Sequence, residues 1–427
     1  MAIRRGTDDH ERRRKQEKRL VLVEMLFFFT AFLLVSLKDG LNWTGICLAF
    51  VVPAIIYFTT IWLARRLLAD KLLMAIVNFL CALGVLMLYT TDVIAGASRG
   101  IQQLKHYGLG LLVMFCCIML VRIVRRWKWL IWLLVGGSLA LIVLPLIFGK
   151  EFQGARNWIS LGGVSLQPSE IVKVSMVLIL SYFMSERRFW PWILFLGACM
   201  FVLMLQKDLG TALVYFTAAL VLFYANTGDA LLTAFGLVGA SGAAVFGYME
   251  FEHVKKRVAA WQNPWSDYLK SGYQLAQTLM AIASAGLFGV GLGLGAPCDI
   301  PFYFTDFIFA IICEQFGLLF GIFTLVLYAI IILRGMSIAI SARHSFYGLI
   351  AMAVTALLGM QTFIIIGGVL KLIPLTGVTL PFVSYGGTSM LSCMALIGLL
   401  QGVNSINQDD LSYDYKISRA DDLQTAA

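Results

Sequence analysis

The chain has 427 residues, of which 60% are hydrophobic and only 13% are charged. So little charge cannot cover the surface of a water-soluble protein of this size, and the composition therefore indicates an integral membrane protein. The net charge of +9 does not point to nucleic acid, because the basic residues form short clusters between apolar segments. The eight cysteines are scattered, so they predict neither a disulfide framework nor a metal cluster.

Apolar segments of about 17 to 25 residues recur along the chain, and this is the length that an α-helix needs to cross a hydrocarbon core. Backbone groups inside lipid must be satisfied within the segment, which favours helices. We therefore predict an all-α, polytopic transmembrane bundle of about 12 spans. The spans are placed at 20–36, 44–63, 72–90, 107–121, 129–148, 169–185, 190–206, 209–225, 230–248, 305–333, 346–370 and 387–403.

The basic clusters predict the orientation of these spans. If the N-terminus is cytoplasmic, the clusters that begin at Arg65, Arg122 and Arg187 all fall on the inner side, as the positive-inside rule requires. Two long segments, 150–168 and 249–304, then lie outside. The C-terminus is cytoplasmic as well, and we expect a flexible polar tail after the last span.

The outer segment 249–304 is too long for a simple connector and too rich in Trp, Tyr and Leu for a disordered one. An apolar stretch from Leu275 to Phe288 is long enough for a helix lying at the membrane interface. We therefore expect this segment to carry function, as long loops often do.

The first cluster of functional candidates joins the string GARNWISLGGVSLQPSEIVK to the sixth span. Pro168 can open a helix, and Glu170 and Lys173 are three residues apart on one face of it. At that depth the pair either neutralises itself for structural reasons or lines a polar cavity that handles a charged lipid headgroup. Arg156 belongs to the same string.

The second candidate is Asp208 in the string QKDLGTA. An N-terminal cap explains it without any further role. Because it lies on the same side as Arg156, a role in a site stays open.

The third cluster contains the string WQNPWSD, followed by SGYQLAQ, in the long outer segment. Asp267 stands between Trp265 and Tyr268, with Pro264 stiffening the chain, so its carboxylate could be held near a substrate, partly desolvated, as a general base requires. A turn aspartate close to a proline explains the same position. Gln274 and Gln277 follow as polar candidates on the next helix.

The last two clusters lie near the C-terminal spans. Thr305 and Asp306 are typical of an N-terminal cap, and Glu314 would lie two turns further inside the membrane, where it is either functional or paired with Lys173. The string PLTGVTLPFVSYGGTS, which contains Ser384, predicts a broken segment that lines a cavity, or an ordinary outer loop.

Taken in order, these strings resemble the RodA/FtsW/SpoVE family of shape, elongation, division and sporulation proteins. The fourth matching string is TDFIFAIICEQFG, and the resemblance runs from about Lys71 to Asn404. It implies a ten-span membrane core at 71–404, with a basic N-terminus at 1–19, two added spans within 20–70 and a tail at 405–427.

The resemblance also implies the activity, a peptidoglycan glycosyltransferase that polymerises lipid II on the outer face of the cytoplasmic membrane. The essential loop aspartate of the family falls on Asp267, which would deprotonate the acceptor hydroxyl. Arg156 and Lys173 would stabilise the pyrophosphate leaving group. A divalent cation, Mg²⁺ or Mn²⁺, could share that role. The expected substrate-contacting residues are Arg156, Glu170, Lys173, Asp208, Gln274, Gln277, Asp306, Glu314 and Ser384.

Five residues depart from the family pattern. Phe302 and Phe304 stand where Glu and His are frequent, and Gln315, Ile365 and Lys207 replace Glu, Asn and Pro. Most of these changes remove a polar group.

The resemblance further implies lipid II as substrate, with a class B penicillin-binding transpeptidase and other cell-wall or divisome proteins as partners. Two other functions fit the pattern. One is a lipid II flippase, which would depend on intramembrane charges such as Glu170 and Glu314. The other is a catalytically weak scaffold for a transpeptidase, which the departures from the pattern favour.

Overall fold

The computed structural model describes residues 2–124, 128–152, 155–161, 164–268 and 272–425. Arg125 and Arg126 of a predicted basic cluster, and Gly154 and Ser271 of the motif strings, lie outside these ranges. Within them the fold is built almost entirely from α-helices. The helices are α1 Ala2–Lys38, α2 Trp43–Tyr57, α3 Ala64–Arg66, α4 Lys71–Ala95, α5 Arg99–Val124, α6 Lys128–Phe148, α7 Pro168–Ser185, α8 Phe189–Leu205, α9 Leu209–Thr227, α10 Ala230–Glu250, α11 Glu252–Gln262, α12 Tyr273–Ala285, α13 Ile308–Phe316, α14 Leu318–Ile340, α15 Ser345–Val369 and α16 Gly387–Thr425.

Eleven helices in the described ranges are long and apolar enough to cross a membrane, and the 17-residue α8 is a shorter apolar helix between two of them. Each of the twelve predicted spans therefore coincides with an apolar helix. This count, together with the composition, shows a multi-pass membrane protein and confirms the all-α class. A π-helical segment, Phe58–Leu63, joins α2 to α3, so that one continuous helix runs over Trp43–Arg66.

The boundary of the tenth predicted span, 305–333, is wrong. The chain forms a short helix, α13, and begins the spanning helix α14 only at Leu318. Gly317 separates the two helices with a φ of 90°, and a Cβ there would lie 2.3 Å from the backbone oxygen of Leu287. The positive φ and the close approach both require glycine, so the break is encoded at one position.

Short polar signals place several helix ends. Asp70 caps α4, because its Oδ1 accepts from the Leu73 amide at 3.0 Å, and Asp229 caps α10 through the Leu232 amide at 3.0 Å. Pro168 occupies the first turn of α7 as predicted. These caps satisfy amides that have no partner inside the helix.

Two features of the fold differ from the predictions. The outer segment before α7 forms a small antiparallel sheet, in which β2 (Ala155–Leu161) lies between β1 (Lys150–Phe152) and β3 (Val164–Leu166). The tail that we expected to be flexible continues α16 as far as Thr425. No glycine or proline follows Gly402, so nothing in the sequence interrupts the helix.

The first helix packs onto the bundle through aromatic side chains. The ring of Phe27 stacks on Phe79 of α4 at 5.8 Å and on Phe320 of α14 at 6.1 Å. Phe28 and Phe32, on the same helix, are fully buried. The N-terminal helices are therefore part of one continuous apolar core with the rest of the chain.

Gly84 of α4 tests how closely the bundle is packed. A Cβ at this position would lie 2.6 Å from the Val383 backbone oxygen, so Gly84→Ala must push backbone apart, and we expect it to destabilise the protein by about 1–3 kcal/mol. Gly108→Ala on α5, where a Cβ would meet nothing within 4 Å, is the control and should be neutral or stabilising. Thermal unfolding of both variants in detergent, monitored by tryptophan fluorescence, measures the difference; equal melting temperatures would contradict the described contact.

Candidate active site

Glu170 and Lys173 form a buried ion pair in the first turns of α7. Lys173 Nζ donates to Glu170 Oε2 at 2.7 Å and to Gln361 Oε1 of α15 at 2.9 Å. Ser392 of α16 also donates to Glu170 Oε2. Each charge has several partners, which is what makes a buried pair tolerable.

The network continues from Gln361 into the segment between α15 and α16. Gln361 Nε2 donates to the Thr379 backbone oxygen at 2.8 Å, and the hydroxyls of Thr379 and Ser389 share a hydrogen bond of 2.6 Å. The buried pair is therefore connected to the segment between α15 and α16 by side chains from α7, α15 and α16.

The segment 371–386, which we call the broken segment, has no regular helix, as its prolines and glycines predict. Side chains and neighbouring backbone satisfy several of its backbone polar groups instead. Ser384 Oγ accepts from the Leu380 amide at 2.9 Å and donates to the Thr305 oxygen at 2.5 Å. Tyr328 of α14 donates to the Pro381 oxygen at 2.6 Å. Ser384 thus holds the broken segment against the chain that leads into α13.

Arg257 of α11 interacts with the segment between α15 and α16 and with the charges of two predicted acids. Its Nη1 donates to the Thr376 oxygen at 2.7 Å, and both Asp306 and Asp208 act on its charge. Gly377 lies next to both Arg257 and Asp306. It has a φ of 77°, and a Cβ there would lie 3.5 Å from Arg257 Nη2 and 3.8 Å from Asp306 Oδ2. These are ordinary contact distances, so it is the positive φ that favours glycine at this position.

Sequence reasoning missed Arg257 as a site residue, although a signal was present. Arg257 and Trp261 are four residues apart on one face of α11, and both reach the broken segment: Trp261 Nε1 donates to the Lys371 oxygen at 3.1 Å. Helix α11 is therefore held across the broken segment at two points.

Asp208 is the N-cap of α9, as one of the two predicted alternatives required. Its Oδ1 accepts from the Thr211 amide at 3.1 Å. Its Oδ2 accepts from Asn157 at 2.9 Å and from Gln167 at 3.3 Å, which connects the cap to the outer sheet. Arg156 on the same strand has an exposed side chain, and its amide donates to the Gln206 oxygen at 3.0 Å.

Asp306 is not the N-terminal cap that we predicted. Helix α13 begins at Ile308, and Phe307 precedes it without a capping side chain. Burial raises the pKa of Asp306 to about 6, and its hydrogen bond with Thr305 and the charge of Arg257 lower the pKa only partly. The same burial lowers the pKa of Arg257 from its ordinary value.

Asp267 lies in the turn that follows α11, and its side chain is exposed. Its backbone oxygen accepts from the Gly272 amide at 3.1 Å. Gly272 has to be glycine, because a Cβ would lie 1.9 Å from the Pro264 oxygen. The partial desolvation that we expected is absent in the isolated chain, so a bound substrate would have to supply it.

Aromatic side chains stiffen the Asp267 turn. The Tyr268 ring stacks on Trp265 at 6.1 Å with an interplanar angle of 13° and contacts Tyr273 edge-on at 5.7 Å. Gln277 Nε2 donates to the Tyr268 hydroxyl at 2.9 Å. Gln277 therefore supports the turn from α12, while Gln274 lies half-buried one turn earlier on the same helix.

Glu314 is buried but lies away from Lys173, so the predicted alternative pairing of these two residues is wrong. Its Oε1 accepts from the Ala296 amide at 3.0 Å, and the neighbouring Gln315 accepts from the Gly293 amide at 3.1 Å. Both side chains hold the glycine-rich loop that precedes α13. Burial raises the pKa of Glu314 from its ordinary value.

Besides Gln315, two more departures from the family pattern have structural consequences. Phe304 lies under the guanidinium of Arg99, 4.2 Å from the ring centroid, and packs edge-on against Tyr385 at 5.9 Å. Lys207 has a φ of 60°, which proline cannot adopt.

No group of three or more His, Cys, Asp or Glu residues within the described ranges could hold a metal ion. Asp208 and Asp306 both act on the charge of Arg257. The predicted role of Mg²⁺ or Mn²⁺ stays a prediction.

The helices and the site together define a polytopic helical membrane protein with a polar site built on a broken segment. The family model of the FtsW, RodA and SpoVE cell cycle proteins matches residues 70–409. The chain belongs to this family.

Individual relatives agree with this assignment. Stage V sporulation protein E of Bacillus subtilis is 34% identical over 358 residues, covering 78% of this chain and 96% of the relative. Peptidoglycan glycosyltransferase RodA of Mycobacterium tuberculosis is 32% identical over 416 residues, covering 88% and 87%. The alignment with RodA covers 88% of this chain, whereas residues 70–427 make up only about 84% of it. The alignment therefore extends into the N-terminal helices.

A solved structure has the same fold. It describes the structural coordination of polymerization and crosslinking by a peptidoglycan synthase complex, and one of its chains superposes with a TM-score of 0.66 at 29% identity. The match covers 79% of this chain and 98% of that chain.

The buried pair predicts a strong and asymmetric response to mutation. Lys173→Met leaves Glu170 charged and unpaired, and we expect a loss of about 3–5 kcal/mol in unfolding free energy. The double variant Glu170→Gln/Lys173→Met should recover much of that loss, because no buried charge remains. Thermal unfolding of both variants in detergent checks this; a double variant as unstable as the single one would contradict it.

Asp306 predicts a pH dependence of stability. Its folded pKa of about 6 lies above its ordinary value of 3.8, so between these two pH values the folded protein binds more protons than the unfolded chain. Asp306 therefore contributes a stability that decreases as pH rises through this window. Asp306→Asn should remove that part of the slope. Melting temperatures at pH 4, 5, 6 and 7 measure it, with exposed Asp299→Asn as the control.

Proposed function

We propose that this chain is a peptidoglycan glycosyltransferase that polymerises lipid II into glycan strands, with Asp267 as the general base. The observation that carries the assignment of the base is the exposed carboxylate on a stiffened turn, held beside the broken segment by α11. The activity rests on family membership and on relatives that are named peptidoglycan glycosyltransferases.

In the proposed reaction, Asp267 accepts the proton of the acceptor sugar hydroxyl. The hydroxyl oxygen attacks the anomeric carbon of the growing strand, and the bond from that carbon to the isoprenoid pyrophosphate breaks. One glycosidic bond forms, and the pyrophosphate leaves with its negative charge. A general base contributes about 10²–10⁴-fold to such a rate.

The leaving pyrophosphate needs positive charge near it. Arg156 is the stronger of the two predicted candidates, because its side chain is exposed beside the Asp208 cap. Lys173 is buried, and its ammonium already donates to Glu170 and Gln361. We assign Lys173 a positioning role, in which it orders the broken segment through Gln361 and Thr379.

The same proposal covers topology and partners. The inner basic clusters support cytoplasmic N- and C-termini in the bacterial cytoplasmic membrane, which places Asp267 on the outer face. The similarity to a chain of a peptidoglycan synthase complex that couples polymerization and crosslinking supports a class B penicillin-binding transpeptidase as partner. Other cell-wall synthesis or divisome proteins are further candidates.

A lipid II flippase is the alternative that the buried charges favour. It would depend on Glu170, Lys173 and Glu314 rather than on Asp267. Glu170 and Lys173 are fixed to each other and to α15 and α16, and Glu314 holds the glycine-rich loop. These contacts favour static structural roles, so polymerisation remains our proposal.

The central experiment is polymerisation of labelled lipid II by purified protein. Asp267→Asn keeps the shape of the side chain but removes the base, and we expect a rate about 10²–10⁴-fold lower. Asp299→Asn, an exposed acid of the same outer segment, is the matched control and should polymerise normally.

The outcomes separate the three functions. An Asp267→Asn protein that polymerises normally would remove Asp267 from the mechanism. Lipid II movement across vesicles that persists in Asp267→Asn but is lost in Lys173→Met would support the flippase. The scaffold would be supported by three results together. The wild-type protein makes no strands, its loss from cells stops cell-wall synthesis, and the Asp267→Asn protein restores that synthesis.

A further inference from the structure

Four polar side chains occupy one face of the first two turns of α5. They are Arg99, Gln102, Gln103 and His106. Their spacing of i, i+3, i+4 and i+7 places them on the same side of a helix. The span predicted from the sequence begins only at residue 107, so this polar face lies outside it. All four side chains contact the segment 302–305 or the end of the broken segment and the start of α16.

The start of α5 is fixed to α4, so this polar face is a firm support. Asp92 Oδ2, near the end of α4, accepts from the Gly100 amide at 2.6 Å. Gly100 is also in close contact with α4, because a Cβ there would lie 3.0 Å from the Tyr89 Cα. The loop between the two helices consists only of residues 96–98. A short loop and a hydrogen-bonded helix end leave the beginning of α5 little freedom to move.

The guanidinium of Arg99 reaches the segment 302–305, which leads into α13. Its Nη1 donates to the Tyr303 hydroxyl at 2.7 Å. It also lies over the Phe304 ring, 4.2 Å from the centroid, where cation–π attraction adds to the hydrogen bond. Among the described residues, no carboxylate forms a salt bridge with Arg99. Its closest partners are therefore these two aromatic side chains.

The segment 302–305 is bound in turn to the end of the broken segment. The Tyr385 amide donates to the Phe304 oxygen at 2.8 Å, and the two rings pack edge-on at 5.9 Å. Ser384 Oγ donates to the Thr305 oxygen at 2.5 Å. Backbone and side-chain bonds thus join the two segments, so a displacement of one must displace the other.

Helix α5 contacts the same residues of the broken segment directly. Gln103 Nε2 donates to the Ser384 oxygen at 3.0 Å, and the Tyr385 hydroxyl donates to Gln102 Oε1. His106 lies against the first residue of α16, where a Cβ would lie 2.9 Å from its Nε2. The polar face of α5 and the segment 302–305 therefore hold the end of the broken segment together.

The segment 302–305 continues into Asp306, which connects it to α11. Gly377 lies next to both the Asp306 carboxylate and the Arg257 guanidinium. Arg257 belongs to α11, and the turn that carries Asp267 follows this helix. The position of the segment 302–305 therefore sets the position of Asp306 relative to Arg257, beside the helix that leads to the proposed base.

We propose that Arg99 is a positioning residue for the proposed polymerisation. It fixes the segment 302–305 to α5, so that Asp306 and the end of the broken segment keep their places beside α11. A hydrogen bond in the plane of the guanidinium and a ring against its face both suit arginine, whose planar group can make the two contacts at once. The effect on rate rests on the proposed function, whereas the ordering of the segments does not.

Hydrogen–deuterium exchange of the full-length protein in lipid nanodiscs measures the ordering. Arg99→Met keeps an unbranched side chain but loses the charge and the hydrogen bond, and amides of 302–306 and 380–386 should exchange about tenfold faster. Amides of α15 should stay protected, which shows that the bundle is folded. Lys105→Met, an exposed lysine of the same helix, is the matched control and should exchange as the wild type does. Unchanged exchange of both segments in Arg99→Met overturns the proposal.

Polymerisation kinetics measure whether this ordering serves the reaction. Arg99→Met and Phe304→Leu should each lower kcat about 10- to 100-fold and leave KM near the wild-type value, because misplaced groups lose transition-state stabilisation and not substrate binding. The double variant should be no slower than the slower single variant, since both changes break the same contact. Phe304→Tyr keeps the ring face against the guanidinium and should keep the wild-type kcat.

The outcomes separate a positioning role from other roles of Arg99. A raised KM with unchanged kcat in Arg99→Met would overturn the proposal, because Arg99 would then contribute to substrate binding. Equal losses in Phe304→Tyr and Phe304→Leu would also overturn it, because the aromatic ring would not matter. A wild type that makes no strands would contradict the polymerase function, and the exchange result alone would then confirm or overturn the ordering by Arg99.

Discussion

The ammonium group of Lys173 is the constraint around which the centre of the molecule is arranged. A charge buried among helices has to be matched by other polar groups, and here Glu170 and Gln361 match it. Gln361 Nε2 in turn donates to the Thr379 backbone oxygen, so the hydrogen-bond network extends from α7 through α15 to the broken segment. Irregular backbone is tolerated there because side chains such as Ser384 and Tyr328 occupy its polar groups. The site thus depends on satisfying one charge.

The candidate site is assembled from elements that are distant in sequence. Helix α11 grips the broken segment through Arg257 and Trp261, and the turn that carries Asp267 follows directly. On the opposite side, Asp208 caps α9 while it holds the outer sheet through Asn157. These contacts leave Asp267 as an exposed acid on a stiff turn, which is the arrangement that the proposed role of a general base requires.

The sequence was sufficient for features that depend on local pattern. Apolar length gave the spans, Pro168 and Asp208 gave helix starts, and the prolines and glycines after Lys371 gave the broken segment. The sequence was insufficient where a single residue determines a helix boundary, or where a partner distant in sequence determines the role of a side chain. The break at Gly317 depends on a close approach to Leu287, and the role of Arg257 depends on Thr376, more than a hundred residues away. The alternative pairing of Glu314 with Lys173 failed for the same reason, because periodicity does not predict which helices become neighbours.

The aromatic stack of Phe27 on α4 and α14 limits how other proteins can assemble with this one. A membrane-spanning helix from another chain needs an apolar face that is still open to lipid. Helix α1 of the same chain already covers the face formed by α4 and α14. A visiting helix could use that face only by displacing α1 and separating its rings from Phe79 and Phe320. Helix α10, of whose apolar window only 6% is buried, offers lipid-facing surface that requires no displacement. The first helix therefore occupies an apolar face of the bundle that a helix of another chain could otherwise use.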